Sequence, residues 1–529
     1  MTIYMDRLGT QGGYGRFATE AGHGVMVPLP ASSGALTTRV GGPGWLARWS
    51  SGRAPSPRML ISSLGLAALL VLQGCATTTD YARPAVTTPT AWAQRDASSV
   101  AATPAIDTWW RAFNDPALTR LVEGALARNN NLAAAAWKVR EARLNAGLAA
   151  NKLWPQASAG VSNNVSTPLN TGTSRRSSGA DLSLSYEVDM WNRLANTRDA
   201  QTWEAEATEQ DRQSAAQALA GTVAGLYWQI AYQNGELAST DASLEYARRT
   251  LALVQAQYKA GASAQLELRE AEASVASQLA SRTLLVQQRT ESRNALAILF
   301  DAPPGEESLK AWLDQEPQFL PLDDLPAIAT GLPADMLARR PDLRAAEMRL
   351  RETLAFGDAS RAAYYPSLSL TGSLGTSSSA LLEVLRNPVL AIGVGLSLPF
   401  VRYQEMKLNT QLTEAQYQQA VINFRQTLYT AFSEVENSLS ARRQYAERAE
   451  HLTVTLDAQR NAERLYEVRY RSGGVALQPW LDAQERRRSA ELSFAANRLQ
   501  QLTTQATLYQ ALGGNLPLAA VEELPVAMK

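Results

Sequence analysis

The chain has 529 residues, 45% hydrophobic and 19% charged, with 50 Lys+Arg matched by 50 Asp+Glu. That length supports two or more units with cores of their own, and a net charge of zero leaves no electrostatic footprint for nucleic acid. Two histidines, His23 and His451, and one cysteine, Cys75, exclude an internal disulfide and most Cys/His metal centres. No run of 18 apolar residues occurs, so no ordinary transmembrane helix is expected.

Residues 59–72 are a continuous apolar run, preceded by Arg48, Arg53 and Arg58 and followed by Gln73-Gly74-Cys75. A basic flank, a short apolar core and a small residue before the cut describe a secretory signal peptide over 59–74, too short to span as a stable helix. Leu72-Gln73-Gly74-Cys75 resembles the bacterial lipobox, in which the cysteine is acylated and becomes the mature N-terminus. The alternative is a buried structural cysteine after an uncleaved apolar segment. Each buried methylene of an acyl chain contributes roughly 0.8 kcal/mol, and more than one chain makes the anchor stable. Ala76 rather than an aspartate follows, which by resemblance to sorted lipoproteins favours the outer membrane. Residues 1–58 are rich in Gly, Pro and Ser without periodicity and read as an extension from a misassigned start. Residues 75–115 follow as a lipidated N-terminal segment.

The remainder is duplicated. Asn131-Leu132-Ala133-Ala134-Ala135, Arg140-Glu141 and Trp154-Pro155 match Asp342-Leu343-Arg344-Ala345-Ala346, Arg351-Glu352 and Tyr365-Pro366. Farther on, Tyr258-Lys259-Ala260-Gly261 matches Tyr470-Arg471-Ser472-Gly473 at nearly the same offset, as Ala271 matches Ala483. The repeats are placed at 116–302 and 333–515, with a tail over 516–529. Between them, 303–332 is a Pro-rich connector, read as irregular but not flexible because Trp312, Leu313, Phe319 and Leu320 punctuate it.

In chain order, Asn114-Asp115-Pro116 signals a helix start and 117–150 reads as one helix. Strands are expected at about 157–166 and around 182–188, where Leu182, Leu184, Tyr186 and Val188 alternate with Ser183, Ser185, Glu187 and Asp189. A rod follows from about 192 to 259, proline-free, with Val223, Ile230, Leu237, Leu244, Leu251 and Tyr258 at heptad spacing. At 1.5 Å per residue it is about 100 Å long, too long for a compact globular domain. It turns at Gly261 and returns over 264–300. The second half repeats the order: a strand at 367–375, then Leu390, Ile392, Val394, Leu396 and Leu398 alternating with Ala391, Gly393, Gly395 and Ser397. Next comes a rod over 403–470 with Val421, Leu428 and Val435 in line, then a return over 477–512 after Gly473-Gly474. Apolar side chains on one strand face and small or polar ones on the other fit a wall between lipid and water, or else half-buried hairpins on a soluble core. In lipid, four strands cannot close a barrel alone, so the barrel must be shared among subunits.

Trp109-Trp110-Arg111-Ala112-Phe113-Asn114-Asp115-Pro116-Ala117-Leu118 and the stretch from Leu332 through Arg339-Arg340-Pro341-Asp342 to Glu347 resemble the TolC-like outer-membrane efflux factors. The likeness covers about 100–515, and the chain is similar to the lipoprotein branch. It implies a mainly α fold with a membrane β-barrel: a homotrimer with a twelve-stranded barrel, four strands per subunit, and a long periplasmic coiled-coil tunnel. It implies an exit duct carrying drugs or other small molecules, working with a periplasmic adaptor and an inner-membrane transporter of the RND type. No cofactor is implied beyond acyl chains on Cys75. The family closes its tunnel near the turns after Gly261 and Gly473. Asp482 stands where members place one acidic ring residue, and three carboxylates about a narrow axis would favour cations. Tyr470 matches a tyrosine that helps tie the closed helices, with an acidic partner at Glu267. Pro479 replaces a second acidic or polar residue, and Val475 stands where some members have an arginine. Read without the resemblance, Asp482 and Glu267 are solvated helix residues and Tyr470 a packing residue.

Enzyme signatures are missing: no Gly-x-Ser-x-Gly, phosphate loop or His-Glu-x-x-His occurs, so catalysis is not expected. A non-conducting periplasmic coiled-coil lipoprotein would have no use for strands with apolar outer faces. The adaptor class carries one helical hairpin flanked by β-domains, unlike this duplicated order. A duct for type I protein secretion shares the architecture and stays open as an alternative.

Overall fold

The computed structural model describes residues 78–94, 106–170, 172–305, 309–310, 316–328, 333–379 and 388–518. The extension 1–58, the signal segment 59–74, Cys75, Trp312, Leu313 and the tail beyond Leu518 lie outside the described residues. Two copies of one helix–hairpin–helix–helix plan follow each other. The first comprises α1 (Pro116–Arg128), α2 (Asn130–Asn151), β1 (Gln156–Ser166), β2 (Arg175–Val188), α3 (Arg193–Lys259) and α4 (Gln265–Ala297). The second comprises a helical turn (Met336–Arg339), α5 (Pro341–Ala362), β3 (Ser367–Ser378), β4 (Pro388–Ser397), α6 (Tyr403–Arg471) and α7 (Leu477–Leu512). The rods α3 and α6 run 67 and 69 residues, as their heptads demand.

Where one helix was expected over 117–150 there are two. Asn129 ends α1 and caps α2: its Oδ1 accepts from the Leu132 amide at 3.1 Å, while its Nδ2 donates to the Leu299 carbonyl at 3.2 Å. An asparagine side chain thus replaces the backbone bonds that continuing the helix would have made. The same bend recurs one repeat later at Arg340, where Pro341 opens α5. The expected start of α1 is found as read: Asp115 accepts from the amides of Ala117 (2.8 Å) and Leu118 (3.1 Å), and its second oxygen takes the Tyr227 hydroxyl at 2.8 Å.

Val223, Ile230, Leu237 and Leu244 are buried as the seam required, but Leu251 is only half-buried and Tyr258 is exposed. A straight α-helix drifts about 20° per heptad, so over five heptads the line turns off the interface and Val254 takes its place. In α6, Val421, Leu428 and Val435 are all buried.

The largest core lies at the waist, where Trp109, Trp110, Trp228, Phe300, Phe432 and Tyr509 cluster. Trp109 stacks on Tyr509 at 5.6 Å and Phe113 meets Trp228 at 5.0 Å, so the Trp-Trp opening segment is a core element. The connector is pinned here by side chains: Arg498 donates to the Pro321 carbonyl (2.7 Å), Gln505 to Pro326 (2.6 Å) and Asn234 to Pro317 (3.0 Å). Leu320 packs on the core, whereas Phe319 is exposed and does not anchor the connector.

The helices form a wall one layer thick. Above the waist, contacts order them α2–α3–α5–α6; below it α4 packs on α3, α7 packs on both α3 and α6, and α4 and α6 are the outer members. The sheet continues the same order, β1-β2-β3-β4, all antiparallel.

Arg340 ties three pieces of the waist. Its buried guanidinium pairs with Asp342 (2.6 Å) and Glu434 (2.7 Å) and donates to the Ala511 carbonyl at 3.0 Å. Burial works against the charge, yet the two carboxylates hold its pKa above the ordinary arginine value. Arg340→Ala is expected to destabilise the fold by about 2–4 kcal/mol, the lower end reflecting the water that Asp342 and Glu434 still see. Arg340→Lys should recover only part, since an ammonium cannot fork between two carboxylates. The helical circular-dichroism signal during thermal unfolding in detergent measures this, and an unshifted midpoint for Arg340→Ala would contradict it.

Candidate functional site

Two regions carry the candidate chemistry. In the sheet, register places like with like across every strand pair. Leu184 faces Ala157 and Gly372, Leu182 faces Ala159 and Leu374, and Tyr186 faces Leu370. Farther across, Leu368, Leu370, Gly372 and Leu374 face Leu396, Val394, Ile392 and Leu390. Alternate positions therefore make one continuous apolar face, and it is open: Val161 is 85% and Ile392 82% exposed. The other face is mostly hydroxyl and glycine, with Arg175, Asp181 and Glu187 of β2 its charged residues. Ser158 and Ser183 share a hydrogen bond at 2.7 Å, and Thr371 and Ser369 lie across from Gly393 and Gly395. Strands of 10 to 14 residues match the length that a tilted strand needs to cross hydrocarbon.

An aromatic residue marks each strand–helix junction. Trp154 precedes β1, Trp191 follows β2, Tyr365 precedes β3 and Phe400 follows β4. Trp191 stacks on Tyr365 at 5.0 Å and donates its indole N–H to the Pro366 carbonyl at 2.7 Å. Aromatic rings between an apolar band and a polar rod, three of the four carrying a polar atom, are the pattern of a membrane–water boundary. Among the described residues no helix is long and apolar enough to cross a membrane, so the strands alone suit that task.

β1 and β4 are unpaired at their outer edges in the single chain. The helical wall has matching edges. On one side, Trp137, Leu144 and Leu148 of α2 are exposed; on the other, Leu408, Leu412, Ile422 and Tyr429 of α6 are exposed, with Leu408, Ile422 and Tyr429 on one heptad line.

The second region is the tip farthest from the sheet. α3–α4 and α6–α7 turn with the same backbone: Gly261 and Gly473 both adopt φ 73°, and the amides of Ala262 and Gly474 each reach back to the carbonyls of Gln257 and Arg469 at 2.8 Å. Glycine is needed there because other side chains resist that conformation. The two hairpins pack through Val254, Ala271, Leu477 and Trp480.

Tyr470 stacks on Trp480 at 5.0 Å and donates its hydroxyl to Gln257 Oε1 at 3.2 Å. Burial, then the nearby Glu267 carboxylate, raises its pKa. Glu267 itself turns to its own helix start, accepting from the Ser263 hydroxyl and from the Ala264 amide at 3.3 Å. Asp482 is exposed, one turn into α7, and accepts from Gln478 at 2.7 Å. Tyr470 and Glu267 are therefore brought near each other without a direct hydrogen bond, and Asp482 stands apart from both. Trp480 and Gln257 were not singled out in the sequence. A tryptophan in the first turn after Gly473-Gly474 was the available signal for the first; nothing local marks the second.

A sheet with one apolar and one hydroxyl face, open edges and a rod-like helical extension defines the subunit of an outer-membrane channel. The family model described as "Outer membrane efflux protein" matches residues 121–300 and 332–514, and the chain belongs to that family. The pyoverdine export outer membrane protein OpmQ of Pseudomonas putida is 32% identical over 458 residues, covering 84% of this chain and 95% of that protein. The solvent efflux pump outer membrane protein SrpC of Pseudomonas putida is 30% identical, covering 86% and 98%. A membrane protein from Pseudomonas aeruginosa of known crystal structure superposes with a TM-score of 0.73 at 28% identity, covering 83% of this chain and all of that one. The Campylobacter jejuni CmeC outer membrane channel shares the fold at a TM-score of 0.75 and 22% identity, covering 85% and 97%.

Trp480→Ala should open a cavity where the two tip hairpins meet, while Trp480→Phe keeps most of the contact. Local opening should then speed trypsin cleavage at Arg469 and Arg471 by about tenfold for the alanine variant, read by mass spectrometry of the fragments. An unchanged cleavage rate would contradict this account of the tip.

Proposed function

We propose that three copies of this chain form an exit duct of an efflux system, accepting small molecules from a periplasmic adaptor and an inner-membrane transporter and releasing them outside the cell. The carrying observation is the continuous apolar face of a four-stranded sheet whose two edges are open. In hydrocarbon each unpaired backbone group costs several kcal/mol, so β4 of one copy must pair with β1 of the next. Four strands per copy make that pairing antiparallel, like the rest. The apolar edges of α2 and α6 then meet at the same seam, extending the barrel into a tunnel. Three copies give twelve strands, the number that family membership favours. Pyoverdine and solvent, named for the relatives, suggest small molecules as cargo rather than proteins.

Acylation of Cys75 belongs to the same proposal. Residues 78–94 run as a strap along α5 and on to α6: Thr79 bonds Asp358 (2.6 and 2.9 Å) and Arg83 bonds Glu347 (2.7 Å) on α5, and the amides of Ala93 and Gln94 bond Glu436 on α6. Asp358 lies one turn before α5 ends at the aromatic level. Four extended residues from Thr79 reach about 14 Å, enough to bring Cys75 to the inner leaflet. Cys75→Ser should leave an uncleaved, unacylated N-terminus by mass spectrometry, and an unmodified Cys75 inside an intact upstream peptide in the parent would end this part.

At the tip, three copies of Asp482 around the axis would repel one another and attract cations. Asp482→Ala should weaken cation preference in planar-bilayer recordings, and Tyr470→Phe with Glu267→Ala should raise open probability. Unchanged conductance and selectivity in all of these would return the three residues to ordinary helix surface. The duct itself is tested by assembly. Ile422→Glu should shift the detergent-solubilised protein from trimer to monomer in sedimentation and abolish conductance in bilayers. A parent that sediments as a monomer and conducts nothing would overturn the proposal.

A further inference from the structure

We infer that Asp181 sets a negative potential inside the β-barrel itself, making the outer-membrane section of the duct, and not only its tip, selective for cationic cargo and ions. The inference rests on the shared-barrel reading above. Asp181 is the seventh of the fourteen residues of β2, in sequence between Ala180 and Leu182, whose side chains belong to the apolar face. Its own side chain is on the opposite face, with Ser183 and Ser185. It stands at the depth of the apolar band yet makes no hydrogen bond or ion pair with any described residue. An unpartnered carboxylate at that depth is tolerable only against water.

Register prepares its place. Asp181 lies between Gly160 of β1 and Gly375 of β3. A Cβ at Gly160 would come within 2.9 Å of Asp181 Oδ1, so the carboxylate lies over the missing side chain of its neighbour. Around it the same face carries Ser158, Ser162, Ser183, Ser373 and Thr371, none charged. Small lining residues keep a twelve-stranded bore open where larger ones would fill it. The charged residues sharing that face of the strands are Glu187, paired with Arg193 at 2.7 Å at the periplasmic end, and Arg175 at the far end of β2. Arg175 is six residues from Asp181, roughly 20 Å along the strand, and opposes it at the outer mouth.

A bore this wide leaves the carboxylates of three copies well apart, so their field is screened by salt. The Debye length is about 30 Å at 0.01 M and about 3 Å at 1 M. This separates the barrel from a narrow tip, where carboxylates crowd the axis and act at higher salt.

The test reads local potential directly, without passing current through the tip. Ser373, the register partner of Ser183, is changed to cysteine in the full chain reconstituted in liposomes. Cationic and anionic methanethiosulfonate reagents are added from the extracellular side, with the parent chain as background. At about 0.01 M salt the cationic reagent should react roughly threefold faster than the anionic one after correction for their rates on a small thiol, and the ratio should approach one at 1 M. Adding Asp181→Asn should bring the low-salt ratio close to one, and adding Arg175→Gln should raise it. The same low-salt ratio with and without Asp181→Asn would overturn the inference while leaving the duct intact. Leu374→Cys, on the apolar face, is the control for the underlying reading. If it reacts with these aqueous reagents while Ser373→Cys does not, the faces are reversed and the shared-barrel reading falls as well.

Discussion

Backbone hydrogen bonding at the two edges of one sheet is the constraint on which the rest depends. A four-stranded antiparallel sheet with an apolar face is stable in hydrocarbon only if its first and last strands find partners. This chain cannot supply them to itself, because β1 and β4 stand at opposite ends of the sheet order. Other copies must. Once they do, the order of helices follows, since α2 and α6 continue from the edge strands and carry their exposed apolar residues at the same seam. Rods of this length, the aromatic level and the twin tip turns are then parts of one cylinder rather than separate features.

Duplication supplies the geometry, and the differences between the halves supply the attachments. Asn129 and Arg340 occupy equivalent bends, but only Arg340 reaches both Asp342 and Glu434. Glu347 and Asp358, which hold the N-terminal strap, have Ala136 and Gly147 as their counterparts, so these carboxylate attachments exist only in the second repeat, while Thr78 reaches across to Asn196 of the first. Glu267 caps the start of α4, whereas its counterpart in α7 is Pro479, which cannot accept an amide.

Much of this is legible in the sequence. Period-two alternation around Leu182 and Ile392 located the strands because lipid and water impose opposite chemistries on the two faces. Heptads through Val223 and Leu428 located the rods because a seam must stay on one side of a helix. The break at Asn129 was hidden because its side chain bonds Leu299, 170 residues away. Residues 78–94 have no periodicity to read, since an extended strap bonds by single side chains rather than by a repeating face. At the tip, Glu267 and Tyr470 stood out by resemblance; Glu267 bonds Ser263 within its own helix start, but Tyr470's partner Gln257 depends on how two hairpins pack.

Hydrogen exchange in the lipid-reconstituted protein tests the central claim most directly, because it reports on the edge amides themselves. If β4 of each copy pairs with β1 of the next, amides throughout Gln156–Ser166 and Val389–Ser397 should be as protected as those of the central strands β2 and β3. Edge-strand amides exchanging at the rate of the connecting loops, beside protected central strands, would contradict a barrel closed between copies.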